Sequence, residues 1–226
     1  MYTMKGDMAG MRRAVVVGAT GLVGQALVAL LLVDERYEEV TVLVRRPSGY
    51  AGPKVRERII DFNSLAQSDL ALAGTDVFCT LGTTIKKAGT QEAFRQVDYE
   101  YPLSLGRLAK DQGAAQLLIV TSIGANPHSR NFYLRVKGEV ERDLRGLELP
   151  CLHVFRPSLL LGRREEFRLG ERAMGALLPL FSGIMGPYRP VQAQAVAKAL
   201  LVAALSGQTG VHLHGSAQII RAARDA

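Results

Sequence analysis

Residues 18–24 read Gly-Ala-Thr-Gly-Leu-Val-Gly, directly after the apolar run Ala14-Val15-Val16-Val17 and directly before a helix-like stretch over 22–32. A strand that enters a helix through glycines at 18, 21 and 24 leaves backbone N–H groups pointing out of the helix N-terminus, where the macrodipole favours a pyrophosphate. The segment therefore predicts a dinucleotide site, with Gly18, Thr20, Gly21, Leu22 and Val23 against the cofactor. Gly18 permits the tight turn, Gly21 lets backbone approach the phosphates, and Gly24 lets the helix pack closely on the strand. The spacing is GxxGxxG, a departure from the GxGxxG fingerprint.

Around this turn the periodicity alternates. Strands are expected at 13–17, 40–45, 57–61, 76–81, 116–121, 151–155 and 211–214, and helices at 22–33, 64–72, within 90–112, 131–145, near 167–178 and 192–205. Runs such as Leu117-Leu118-Ile119-Val120 are apolar at every position, which requires cover on both faces of the sheet. The expected fold class is α/β, a doubly wound, mostly parallel sheet of Rossmann type whose ligand lies beyond the carboxyl ends of the strands. The 226 residues, 48% hydrophobic and 22% charged, suit one domain over 12–226 behind a flexible tail at 1–11. Residues 160–190 are expected to form a substrate-side insert.

Composition narrows the function further. No run of about 18 apolar residues exists and residues 1–11 lack an apolar signal core, so neither a membrane span nor a secretory leader is expected. Cys79 and Cys151 lie in apolar strand-like runs far apart, which fits free core thiols in a reducing, cytoplasmic setting. The net charge of +7 is spread among alternating acids and bases, as in Arg163-Arg164-Glu165-Glu166, and no basic stripe interleaves with aromatics; nucleic-acid binding is not expected.

The dinucleotide can be narrowed as well. About twenty residues after the glycine turn, where a NAD site places a carboxylate on the ribose 2′-hydroxyl, this chain has Val44-Arg45-Arg46. Two guanidiniums suit a 2′-phosphate, so the expected cofactor is NADP(H); the alternative is a pair of surface arginines at a strand end. Asp61 and Phe62, after the third strand, are placed beside the adenine, or else Asp61 simply opens a loop.

Tyr133 and Lys137 stand at i and i+4, on one helix face. A phenol is a poor acid or base at neutral pH, and a nearby ammonium stabilises its ionised form. Ser122, with Thr121 at the carboxyl end of the fifth strand, is placed to hold a reacting carbonyl oxygen. His212 and His214 share one strand face without a third metal ligand, so no metal is expected. His153 reads as a satisfied core histidine, and His128 as a surface-loop residue.

With GxxGxxG at Gly18, Gly21 and Gly24 and YxxxK at Tyr133 and Lys137, the chain resembles an atypical short-chain dehydrogenase/reductase. Leu81-Gly82-Thr83-Thr84, Lys87-Ala88-Gly89, Val97-Asp98, Ser122 with Gly124-Ala125, the run from Asn131 to Val140, and Phe155-Arg156-Pro157 together resemble the Tat-interacting oxidoreductase family and its bacterial relatives. The resemblance implies an NADP(H)-dependent oxidoreductase in which Ser122 orients a small-molecule substrate, Tyr133 is the acid/base, and Lys137 binds the nicotinamide ribose while tuning Tyr133. It also implies that Leu81, Gly82, Thr83 and Thr84 line the cofactor and that Pro157, Ser158 and Leu159 approach the nicotinamide. One departure stands out: Asp98 occupies the place of a relay asparagine, and an ionised carboxylate cannot donate as an amide does. The same resemblance leaves open a second reading, an NADP(H)-binding regulatory protein with a protein partner and little catalysis. The 160–190 insert, with Phe167, Met174, Leu177 and Phe181, reads either as an apolar lid or as ordinary core packing. The charged helix over 131–145 favours a monomer.

Overall fold

The computed structural model describes residues 10–161 and 189–225. Residues 1–9 of the tail expected at 1–11, the helix near 167–178 and most of the 160–190 insert lie outside them. Strands β1 (Arg12–Val17), β2 (Tyr37–Val44), β3 (Val55–Ile59), β4 (Asp76–Cys79), β5 (Gln116–Val120), β6 (Cys151–Arg156) and β9 (Gly210–Gly215) form one sheet in the order β3-β2-β1-β4-β5-β6-β9. Every neighbouring pair in it is parallel. Chain order reverses at β1, which has β2 on one side and β4 on the other, and this is where a doubly wound sheet opens a ligand crevice. Two short strands, β7 (Leu160–Leu161) and β8 (Val191–Gln192), pair separately.

Because successive side chains alternate across a strand, β1 feeds two cores. Ala14 and Val16 join Leu27 and Leu31 of α1 (Leu22–Val33), Val196 and Leu200 of α6 (Ala193–Ala204), and Ile219 of α7 (Ser216–Asp225). Val15 and Val17 face the other way, toward Leu105 and Ala109 of α4 (Tyr101–Asp111) and Val140 and Leu144 of α5 (Phe132–Arg145). With apolar cover on both faces the central strands β1, β4 and β5 are buried over all or most of their length, which explains their nearly unbroken apolar runs.

The structure corrects several expected elements. The helix placed at 64–72 is a 3-10 turn over Phe62–Gln67, opened by the Asp61 carboxylate accepting the Asn63 N–H at 3.0 Å. The long helix within 90–112 is a chain of three pieces, α3 (Gln91–Arg95), a π turn (Gln96–Glu100) and α4, preceded by the single turn α2 (Ile85–Ala88). Helix α7 was not expected at all, because its apolar positions are few and lie close to the chain's end.

His153 is buried, as expected of a core histidine, and parallel pairing of β6 with β9 sets it opposite His212. Its ring stacks on His212 at 4.9 Å and on His214 at 5.2 Å, while its two nitrogens meet Cys151 Sγ at 3.1 Å and His214 Nε2 at 3.0 Å.

Candidate active site

Since all seven strands of the sheet run the same way, the residues that follow each of them gather along one edge. The glycine turn follows β1, Arg45 and Arg46 follow β2, Asp61 follows β3, 80–84 follow β4, Ser122 follows β5 and Pro157 follows β6. The glycines are demanded by contact. A Cβ on Gly18, whose φ is +85°, would lie 2.6 Å from the Thr80 carbonyl carbon, and one on Gly24 would lie 2.2 Å from the Gly18 oxygen. Backbone of the β4 end, the turn and the first turn of α1 therefore touch without side chains between them. Gly21 caps α1 with no side-chain hydrogen bond, and the first turn contains no acid, so nothing on the helix competes with an anion at its N-terminus. Such a cradle fits the pyrophosphate of a nicotinamide dinucleotide.

Helix α5 stands beside the loop that follows β4, where a Cβ on Gly82 would lie 3.9 Å from Lys137 Nζ. Asn131 caps the helix, its side chain accepting the Leu134 N–H at 3.2 Å, and Tyr133 lies in the first turn with its ring 5.5 Å from that of Phe94. Lys137 is buried one turn on, and its Nζ lies 2.7 Å from Asp98 Oδ1. Asp98 is itself buried, and its Oδ2 accepts the backbone N–H of Thr83 at 3.0 Å. Burial pushes the Lys137 pKa down, but the charges of Asp98 and Tyr133 outweigh it and the net direction is upward.

Ser122 lies two residues beyond β5 with its hydroxyl directed to the neighbouring Ile123 carbonyl at 3.3 Å. Its loop is fastened on two sides: Ile123 N–H donates to Pro157 O at 2.9 Å, and Asn126 N–H donates to Leu134 O at 3.0 Å. Thr121 turns inward instead, donating from Oγ1 to Glu141 Oε1 at 2.6 Å.

Arg45 and Arg46 are exposed and form no ion pair or hydrogen bond among the described residues. Their loop is held to the glycine turn by Tyr50, whose hydroxyl donates to Ala19 O at 2.9 Å. Asp61 caps the 3-10 turn, and Phe62 is buried against Tyr101 at 5.4 Å. Leu81 packs on the α4/α5 core, Gly82 lies over the Asp98–Lys137 pair, and Thr84 caps α2. Thr20 is exposed beside the turn, Val23 is buried in α1, and Leu22 packs against the same core. Buried Pro157 is followed by Ser158, whose N–H donates to Ser216 Oγ at 2.8 Å, and by Leu159, which is exposed.

The family described as NAD(P)H-binding matches over residues 18–174, from the glycine turn past α5. The chain belongs to the NAD(P)H-binding family. Within it, protein HTATIP2 of Rattus norvegicus is 39% identical over 160 residues, 69% of this chain and 66% of that one. Protein FMP52, mitochondrial, of Eremothecium gossypii is 37% identical over 158 residues, 70% of each. The chain thus spans about two thirds of the length of these relatives. Among solved structures, MoeE5 in complex with UDP-glucose and NAD superposes with a TM-score of 0.69 at 14% identity, over 94% of this chain and 81% of that one. A short chain dehydrogenase family protein from Francisella tularensis does so at 0.67 and 14%, over 92% and 99%. The resemblance read from the motifs and the Rossmann fold class both hold. Among the described residues of this NAD(P)H-binding chain, no helix is long and apolar enough to cross a membrane.

Three features of the site were not foreseen in their present roles. Asp98 stood out in the sequence as a missing amide, not as the partner of Lys137. Glu141, four residues beyond Lys137, is buried with Arg156 Nη2 at 2.5 Å and so ties α5 to the end of β6; the repeat 133, 137, 141 was its signal. Gly138 admits the Ser122 loop, since a Cβ there would lie 2.2 Å from the Asn126 carbonyl carbon. A glycine inside a helix, at a cost of about 1 kcal/mol relative to alanine, was the available clue.

Proposed function

We propose that the chain is an NADP(H)-dependent oxidoreductase of the atypical short-chain dehydrogenase/reductase type, acting on a small, apolar carbonyl or alcohol. The observation that carries the reading is a buried Lys137, one helical turn from Tyr133 and paired with Asp98, beside Gly82 of the loop after β4 whose first residues touch the glycine turn at Gly18. The nicotinamide, when bound, supplies or accepts a hydride. In the reducing direction Tyr133 delivers its phenolic proton to the substrate oxygen, and Lys137 stabilises the phenolate left behind. Ser122 donates a hydrogen bond that fixes the same oxygen. Phe94, fully buried, backs the partly exposed rings of Phe132 and Tyr133, whose aromatic faces favour an apolar substrate. Arg45 and Arg46 support NADP(H) over NAD(H) by their charge and exposure at the end of β2. The cytoplasm suits the two buried free thiols, Cys79 and Cys151, and the FMP52 relatives named mitochondrial make cell fractionation the deciding observation.

The test is binding of NADPH and NADH, followed by reduction of a panel of aldehydes and ketones by the wild type and Tyr133→Phe. NADPH is expected to bind more tightly than NADH. Tyr133→Phe is expected to keep NADPH affinity and to lose about 100-fold or more in kcat/KM. Tight NADPH binding with no carbonyl reduced would hand the site to the regulatory reading, and equal use of the two cofactors would remove the NADP preference.

A further inference from the structure

The pair formed by Asp98 and Lys137 is out of water, with side chains 0% and 6% exposed. Removing two charges from solvent costs several kcal/mol each, and mutual attraction repays it only with good geometry and added hydrogen bonds. Part of that repayment is visible here. Asp98 Oδ1 lies 2.7 Å from the ammonium yet receives no well-directed hydrogen bond, while Oδ2 is taken by the Thr83 N–H. The contact is chiefly Coulombic.

The backbone is bent to bring this about. Over Gln96–Glu100 the helix loosens into a π turn, in which Tyr101 N–H donates to Gln96 O, five residues back. Pro102 follows at the start of α4. It has no N–H to offer the Asp98 carbonyl, and its ring would clash with that carbonyl in an ordinary α-helix. Single π turns recur at functional positions because the extra residue re-aims a side chain. Here the re-aimed side chain is Asp98.

We propose that Asp98 is a positioning residue for Tyr133 and Lys137, holding the buried Lys137 amine in its charged form and coupling it, through Thr83, to the loop that follows β4. The groups facing Lys137 are Asp98 from the π turn, Tyr133 from α5 and Cys79 from β4. Burial is the largest influence on the amine and acts to discharge it; Asp98 is the main group that reverses this. Without the carboxylate, Lys137 becomes a buried amine that loses its proton within the range where the protein works, and Tyr133 loses its cationic neighbour. In place of an amide relay, the chain has an electrostatic clamp. Its effect on turnover rests on the oxidoreductase reading above, whereas its effect on the charge of Lys137 does not.

The test is a pH titration of the full chain carrying 13C-labelled lysine, with the Lys137 ε-carbon signal assigned by its absence in Lys137→Met. In the wild type, Lys137 is expected to hold its proton to higher pH than a free lysine does. In Asp98→Asn its midpoint is expected to fall below the free-lysine range by about 2 units or more, the size of shift that burial of an unpaired lysine produces. The pH optimum of kcat/KM should move down with it, and Asp98→Glu should restore part of both.

An unchanged Lys137 titration in folded Asp98→Asn overturns the clamp. If Asp98→Asn does not fold, the double variant with Lys137→Met, which buries no charge, is expected to fold; failure of both places the role of Asp98 in its bond to Thr83 and overturns the proposal. Absent turnover in the wild type, with the Lys137 titration displaced in Asp98→Asn, sinks the oxidoreductase reading alone. Turnover with an undisplaced titration sinks the clamp alone.

Discussion

Arg45 and Arg46 illustrate how a single side chain acquires meaning from its address. Their guanidiniums are exposed at the end of β2, without a carboxylate partner among the described residues, beside a loop that Tyr50 ties to the glycine turn. A charge-assisted hydrogen bond stabilises a complex by about 1.5–3 kcal/mol. Losing that from a 2′-phosphate weakens binding by roughly 10- to 100-fold. Arg45→Ala with Arg46→Ala is expected to weaken NADPH by this amount and NADH by less than about 3-fold, measured by calorimetry or fluorescence. Equal losses for both cofactors would return the two arginines to the role of ordinary surface residues. The glycines work in the opposite sense, by what they lack. Gly18 and Gly24 matter because backbone atoms occupy the space a Cβ would need.

At the level of elements, legibility followed periodicity. The strands and the helices α1, α5 and α6 were readable because their apolar positions repeat every two or every three to four residues over several turns. Of the pieces that escaped, two are stretches in which hydrogen bonding departs from that repeat. Residues 62–67 close as a 3-10 turn under Asp61, and 96–100 open as a π turn ahead of Pro102. Asp98 sits in the second of these, so its partner was hidden even though the residue itself was conspicuous. Tyr133 and Lys137 were visible from spacing, while Glu141 and Gly138 depend on loop and strand neighbours that only the tertiary structure supplies.

Strand pairing carries its own prediction. In β6, burial, followed by His214 and His212, pushes the pKa of His153 down to about 4, and His214 in β9 is lowered as well, chiefly by burial. A histidine whose folded pKa is depressed leaves the unfolded chain with more bound protons between the two values. Stability from His153 is therefore complete above pH of about 6.5 and drains away as pH falls toward 4. Denaturant titrations of the wild type at pH 7.5 and 4.5 are expected to differ by on the order of 2 kcal/mol more than those of His153→Leu. Parallel pH profiles for the two proteins would remove the histidine stack as the acid-sensitive joint between β6 and β9.

The whole molecule divides its labour between the two edges of one parallel sheet. Along the carboxyl edge lie the glycine turn, Arg45, Asp98, Ser122, Tyr133 and Lys137, with backbone held bare for a ligand. Along the opposite edge lies Asp76, buried at the start of β4. Its Oδ2 accepts Arg12 Nε at 2.8 Å and the Tyr37 hydroxyl at 2.6 Å, and its Oδ1 accepts Arg12 Nη2 at 2.9 Å and Gln116 Nε2 at 2.8 Å. One carboxylate thus joins β1, β2, β4 and β5, and Arg12 and Gln116 both reach on to Ala204 O at the end of α6. Removing it strands a buried phenol, a buried amide and a guanidinium, and losing one partner from such a network costs about 3 kcal/mol or more. For a chain of this size that lowers Tm by roughly 6–12 °C. Asp76→Ala is expected to show this loss in a thermal melt and, at a temperature where it remains folded, to bind NADPH within about 2-fold of the wild type. Arg45→Ala with Arg46→Ala should do the reverse, leaving Tm unchanged and weakening NADPH. If Asp76→Ala weakens cofactor binding while still folded, the two edges are coupled through β1 and β4, and the division between a stabilising edge and a binding edge does not hold.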